Sequence, residues 1–380
     1  MRFFRGGATA ASGLLVSLLA AATLYAQTAP ERAALHSGKD LYEAGCVACH
    51  GPAGQGLPQS TIGFEPPDSF PDFTRCDQTT SESDETWAVM IREGGPARGF
   101  SSIMPAFGGV LTRQQIAALV TYLRGFCREP EWPRGELNFP RSLVTEKAFP
   151  EDEDVLTAGF NTGRPAGVDG ELGIERRLGA RNQLEVAVPF GRAYAGSGRL
   201  ESGIGDVAVG VKRVLSAKLS PDDASGSILS VQGEVILPTG RKLEGLGTGE
   251  AALGAFASYG RLFAAQTFVQ LQGGAEVPRH TGEVPANIYL RAAMGRSFRS
   301  DSVGHMWTPM VELSGSRDLE SGAKTDWDVV PQVQVTLSRR RHVRADLGWL
   351  VPVTDTAGRS REVMLYVLWD TADGGLLEGW

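Results

Sequence analysis

The sequence predicts two domains of unlike class, a small all-α domain followed by a large antiparallel β-barrel that spans a membrane. Three observations predict this. Amphipathic helical stripes occur only before residue 130, all four cysteines lie in the same stretch, and from about Val155 the chain alternates polar and apolar residues. A length of 380 residues suits two domains, and 42% hydrophobic with 21% charged residues is the composition of a chain that packs. A formal net charge of −7 offers no basic field to phosphates, which excludes nucleic acid as a partner.

The elements follow in chain order. Residues 1–26 read as a signal peptide: a basic Met1-Arg2-Phe3-Phe4-Arg5, an apolar run from Gly13 to Ala22, and small residues leading to cleavage after Ala26. The apolar run falls short of the roughly 18 residues a membrane helix needs. The chain is therefore expected to be exported.

Residues 34–128 form the expected helical domain. A first helix opens at Ser37-Gly38 and runs into Gly45-Cys46-Val47-Ala48-Cys49-His50-Gly51. Thr80 to Gly94 reads as a second helix with Trp87, Met90 and Ile91 on one face. Thr112 caps a third, with Gln115 completing a capping box and Ile116, Leu119, Val120 and Leu123 forming its apolar stripe. Three short helices and long loops make a weak core for a domain of roughly a hundred residues, so a staple is expected.

Cys46, Cys49 and His50 supply one. Two cysteines separated by two residues match the spacing of two haem vinyl groups, and the histidine that follows points at the iron. A redox dithiol or half a zinc site is the plainer reading of C-x-x-C, but the adjoining histidine, the export signal and the lack of a second C-x-x-C count against it. Met104, before Pro105 in a loop preceding the last helix, is the candidate sixth ligand, and His/Met ligation raises the reduction potential. Met90 and His36 are competitors. Cys76 and Cys127 remain in an exported chain, where a disulfide between them is expected.

Taken together, Gly38-x-x-Leu41-Tyr42, Cys46-x-x-Cys49-His50-Gly51, Met104-Pro105 and Thr112 to Phe126 resemble a class I c-type cytochrome over about a quarter of the chain. The resemblance implies an all-α domain with one covalent haem c that passes single electrons, and a proline carbonyl, from Pro67 or Pro71 here, that orients His50.

Residues 129–154 carry four prolines and many charges without a sustained period, and read as a Pro-rich linker. Residues 155–380 hold about twelve period-2 segments, such as Leu184-x-Val186-x-Val188 and Val343-x-Ala345-x-Leu347-x-Trp349. A soluble β-sandwich also alternates. Polar residues at mid-strand and aromatics near segment ends (Tyr194, Tyr259, Phe263, Tyr289, Phe298, Trp307, Tyr366, Trp369) favour a wet lumen and an interfacial girdle. Gly203-Ile204-Gly205-Asp206 and Leu237-Pro238-Thr239-Gly240 resemble outer-membrane transporter-like barrels. That resemblance implies the barrel and no substrate.

No P-loop, HExxH, GxSxG or triad spacing occurs, and His280, His305 and His342 are scattered, so no catalytic residue is expected. The expectation is an electron carrier at the outer membrane with a periplasmic haem domain, whose partners are a redox protein or small electron donor or acceptor and outer-membrane lipid. Two alternatives remain: a transporter with a redox-sensing domain, and a trans-membrane conduit, an arrangement similar to fused cytochrome–porin iron oxidases, which would make it a metal-oxidising oxidoreductase.

Overall fold

A computed structural model describes residues 37–67, 70–161, 167–194, 200–299 and 305–380. The expected signal peptide and His36 lie outside the described residues.

The helical domain comprises α1 (Gly38–Gly45), α2 (Val47–His50), α3 (Gln59–Ile62), α4 (Cys76–Thr79), α5 (Asp84–Glu93) and α6 (Arg113–Arg124). The capping box at Thr112 and Gln115 is present. α5 begins at Asp84 rather than Thr80, because the Ser83 hydroxyl accepts the Thr86 N–H and sets the start there. α1 crosses α6 at Gly38, where a Cβ would strike the Ala118 carbonyl, so only glycine allows the approach. Leu41, Tyr42, Ile91, Ile116, Leu119, Val120 and Leu123 fill the contact.

The β domain is a closed barrel of twelve antiparallel strands, the number expected. They are β1 (Glu153–Asn161), β2 (Val168–Leu178), β3 (Asn182–Tyr194), β4 in two pieces (Leu200–Ile204 and Val207–Leu219), β5 (Gly226–Leu237), β6 (Ala252–Phe263), β7 (Thr267–Pro278), β8 (Asn287–Arg296, extended by Phe298–Arg299), β9 (Met306–Asp318), β10 (Asp326–Thr336), β11 (Val343–Pro352) and β12 (Glu362–Asp370). Each strand pairs with its chain neighbours, and β1 closes on β12 from Glu153 opposite Asp370 to Asn161 opposite Glu362.

The wall is inside out relative to a soluble protein. Leu253, Leu290, Trp307 and Leu347 are more than half exposed on the outer face, while Gln183, Gln272 and Glu312 are buried within. Exposed apolar rings around a polar interior are stable only against lipid, which decides against the sandwich. Phe263, Phe298 and Trp307 lie exposed near strand ends. Two expected girdle residues do not: Tyr289 and Tyr366 fall on the inward register, and Tyr366 donates to the Arg141 carbonyl at 2.7 Å. The Tyr194 side chain lies outside the described part.

Of residues 129–154, expected as a linker, the stretch from Phe139 to Glu151 is instead folded into the lumen. The Arg141 guanidinium reaches Glu146 at 3.2 Å, Glu153 at 3.1 Å and Glu175 of β2 at 2.5 Å. Lys147 Nζ meets Glu151 at 2.5 Å and Glu153 at 3.3 Å. The Val144 and Thr145 amides donate to the Glu312 carboxylate of β9 at 3.0 and 2.7 Å. Gln332 Oε1 of β10 accepts the Leu143 N–H, and Gln183 Oε1 of β3 accepts that of Glu151. Phe139 stacks on Phe268 of β7 with ring centroids 5.5 Å apart. The segment has no period because its partners surround it, so no single face of it had to be apolar.

Arg141 is the ion-pair hub of this plug, and its removal leaves Glu153 and Glu175 buried without it. Arg141→Ala is expected to cost about 3–5 kcal/mol, read as the shift in urea unfolding of the detergent-solubilised protein. A loss below about 1 kcal/mol, the range of an exposed pair, would show that the network does not hold the plug.

Candidate functional site

The C-terminal end of α1 delivers the chain into a tight turn. The Cys49 and His50 amides both donate to the Cys46 carbonyl, at 3.1 and 2.9 Å, which brings the three side chains of the motif together. Tyr42 Oη donates to the Gly51 carbonyl at 2.6 Å and fixes the exit. Gly51 has φ +72°, and a Cβ there would meet the Gly56 carbonyl, so the turn needs glycine.

His50 is buried and stacks on Phe70, with centroids 4.9 Å apart and planes 11° from parallel. Burial lowers its pKa to about 4, so the imidazole is neutral and can offer a lone pair to a metal. Its Nδ1 is buried with no hydrogen-bond partner among the described residues, and neither Pro67 nor Pro71 serves it. Cys46 and Cys49 are not bonded to each other. Burial, then the neighbouring Cys49, pushes the Cys46 thiol up to about 11.

Met104 sits in a loop strapped to the end of α5. Its carbonyl accepts the Gly95 N–H at 3.0 Å, and the Phe107 and Gly108 amides donate to the Ile91 and Arg92 carbonyls at 3.0 and 2.9 Å. Those carbonyls belong to the last turn of the helix, which has no later amide to accept from.

These parts enclose one cavity of about 390 Å³. Cys46, Cys49, His50 and Met104 all line it, as sequence reasoning required, and Met90 reaches it from α5. Phe70, Ile91, Phe107 and Leu123 give it apolar walls. Two thiols, a neutral imidazole and a thioether around an apolar slot fit a covalently held haem. Such a group supplies a one-electron iron couple. Cys46 and Cys49 would hold such a group, His50 and Met104 would face it, and the apolar walls would keep water away.

One corner is polar, and sequence reasoning missed it. Arg98 and Glu82 line the cavity from the helical domain, and Arg340 and Asp373 line it from the barrel. Three successive arginines in the β10–β11 turn make the joint. Arg98 donates to the Arg339 and Arg340 carbonyls, each at 2.9 Å. Arg341 pairs with Glu85 at 2.9 Å, and Glu85 also takes Arg299 at 2.8 Å. The chain beyond β12 returns to the helical domain, where Gly379 packs on Gly99. A run of arginines in a turn reads as solvated surface, so only the partner residues reveal its role.

Elsewhere, Glu146, Glu175 and Glu185 bring carboxylate oxygens within 4.8 Å of one another in the lumen, with Arg141 bonded to two of them. His280 pairs with Glu250, and His342 lies between Ser338 and Gly375, so these histidines do not converge.

Residues 33–123 match the family model described as cytochrome c oxidase, cbb3-type, subunit III, and form a cytochrome c domain. The barrel resembles solved outer-membrane proteins. An outer membrane channel from Pseudomonas putida F1 is 14% identical, over 60% of this chain and 98% of that one, with a TM-score of 0.42. The KdgM porin is 10% identical over 57% and 98% with a TM-score of 0.35, and the NanC porin 7% over 57% and 98% with 0.39. No curated protein matches the chain by sequence.

The expected disulfide is present. Cys76 at the start of α4 is joined to Cys127 just past α6, Cα to Cα 5.2 Å, across a sequence separation of 51. Closing a loop of that length contributes roughly 4 kcal/mol by chain entropy. Thiol alkylation of the denatured, unreduced protein is expected to label neither cysteine, and reduction to lower the unfolding midpoint of the helical domain. Labelling of both would contradict the bond.

Proposed function

We propose that the chain is an electron-transfer protein of the outer membrane. One haem c is attached at Cys46 and Cys49 and ligated by His50 and Met104, and it exchanges single electrons on the periplasmic side. The observation that carries this reading is the cavity, in which one apolar slot collects both thiols, the buried neutral histidine and the methionine loop.

The side of the membrane is argued from the barrel ends. The helical domain sits where β1 begins and β12 finishes, against the turn bearing Arg339, Arg340 and Arg341. Connections at that end are short, 179–181 and 264–266, while one at the other end runs from 238 to 251. Outer-membrane barrels turn their short connections to the periplasm. A periplasmic redox protein or small donor or acceptor is then the partner, and lipid surrounds the outer wall.

The filled lumen counts against the transporter reading, because residues 139–149 occupy the path a solute would take. It also counts against conduction. β6 alone has 12 residues, roughly 40 Å at about 3.3 Å each, and a single haem at one mouth does not bridge that length.

Met104→Ala is expected to abolish the far-red sulfur-to-iron absorption band while haem stain persists on a denaturing gel. A band that survives would move the ligand to Met90. For sidedness, proteoliposomes holding an internal reductant are expected to leave an external impermeant acceptor oxidised. Rapid reduction that disappears in His50→Ala would replace this reading with the conduit.

A further inference from the structure

We propose that the barrel completes the haem site: Arg340 from the β10–β11 turn, together with Arg98, holds the haem's propionate carboxylates. This rests on the functional reading above and adds a ligand contact that comes from outside the helical domain.

Three observations lead to it. First, Arg98 and Arg340 are the only arginines or lysines among the described residues that line the cavity. A haem carries two carboxylates on one edge, and a carboxylate buried in an apolar slot without a partner is strongly disfavoured. The two guanidiniums are the cations the lining offers to that edge. Second, Arg98 is only 2% exposed and is incompletely satisfied. Its Nε and Nη2 are used on the Arg339 and Arg340 carbonyls, and its Nη1 is buried with no partner among the described residues. A buried guanidinium with an idle donor calls for an acceptor, and a planar fork matched to carboxylate is what arginine offers. Third, Arg340 is held at the same corner. Its Nε donates to the Gly99 carbonyl at 3.2 Å, its Nη1 contacts Glu378 at 2.6 Å, and its guanidinium lies 4.5 Å from the centre of the Phe100 ring. Glu378 is largely exposed, so this pair is the weaker competitor for the guanidinium.

Asp373 shares the corner with Glu82, and burial, then the adjacent Glu82, pushes the Asp373 carboxyl well above the usual carboxylate range. Arg341, in the same turn, pairs with Glu85 and does not line the cavity. That makes it an internal control for the joint itself.

The test compares the full-length holoprotein with Arg340→Gln, Arg340→Lys and Arg341→Gln, by redox titration and by the propionate bending bands in resonance Raman spectra. A cation beside the haem disfavours the oxidised state, so losing it lowers the potential. Arg340→Gln is expected to shift the reduced-to-oxidised ratio at fixed potential by roughly tenfold towards oxidised, 59 mV for one electron, and to move the propionate bands. Arg340→Lys keeps the charge and most of the potential. Arg341→Gln loosens the joint and leaves both readouts in place. Unchanged bands and potential in Arg340→Gln, or equal shifts in Arg340→Gln and Arg341→Gln, would overturn the proposal while the haem assignment stands. Wild-type protein without covalent haem on a denaturing gel would overturn both.

Discussion

A membrane barrel must hide polar groups on the inside, and here the lumen finds its partners in the protein's own chain. Arg141 is the centre of that arrangement. Its guanidinium joins Glu146 of the plug to Glu153 at the head of β1 and to Glu175 of β2. Glu153 and Glu175 are buried, and a buried charge that loses a partner is among the costliest things a fold can contain. Filling the lumen thus settles where the stretch from Phe139 to Glu151 must lie. It settles, in turn, where the helical domain emerges, because the plug enters by the mouth at which β1 begins.

The twelve strands were legible because lipid outside and polar lumen inside impose a strict period of two, as at Leu253 and Leu347 on one face and Gln272 and Gln332 on the other. The candidate haem site was legible for a different reason. Covalent attachment needs two thiols and a histidine at a fixed local spacing, and Cys46, Cys49 and His50 fall within five residues. The Cys76–Cys127 pairing was legible from simple parity in an exported domain.

The plug and the joint were not legible, and the cause is shared. Residues such as Arg141, Glu146 and Lys147 have the composition of solvated chain, and a wet lumen accepts the same composition as water does. Arg339, Arg340 and Arg341 likewise read as an exposed turn, although Arg341 is buried against Glu85 and Arg98 against their carbonyls. Burial here is created by a second domain with no local signature. The chain past β12 follows the same logic: after a short 3-10 turn at Thr371–Asp373 the tail turns back and places Gly379 on Gly99.

A plug differs from a tether in what it does to electron exchange. A free coil of that length has an end-to-end distance of roughly 25–30 Å, and would let the domain tumble over the membrane and meet partners in any orientation. With the chain locked in the lumen and arginines gripping the domain from below, tumbling is lost. Arg340 and Asp373 line one side of the cavity, so a partner of the proposed carrier would use what remains. Ile103 belongs to the cavity wall and is 41% exposed. An apolar, accessible rim beside a redox group suits brief encounters, where a small contact area gives fast release. In the proposed electron carrier the barrel therefore sets more than location: by covering the Arg340 side of the cavity, it leaves the Ile103 side as the approach for an electron.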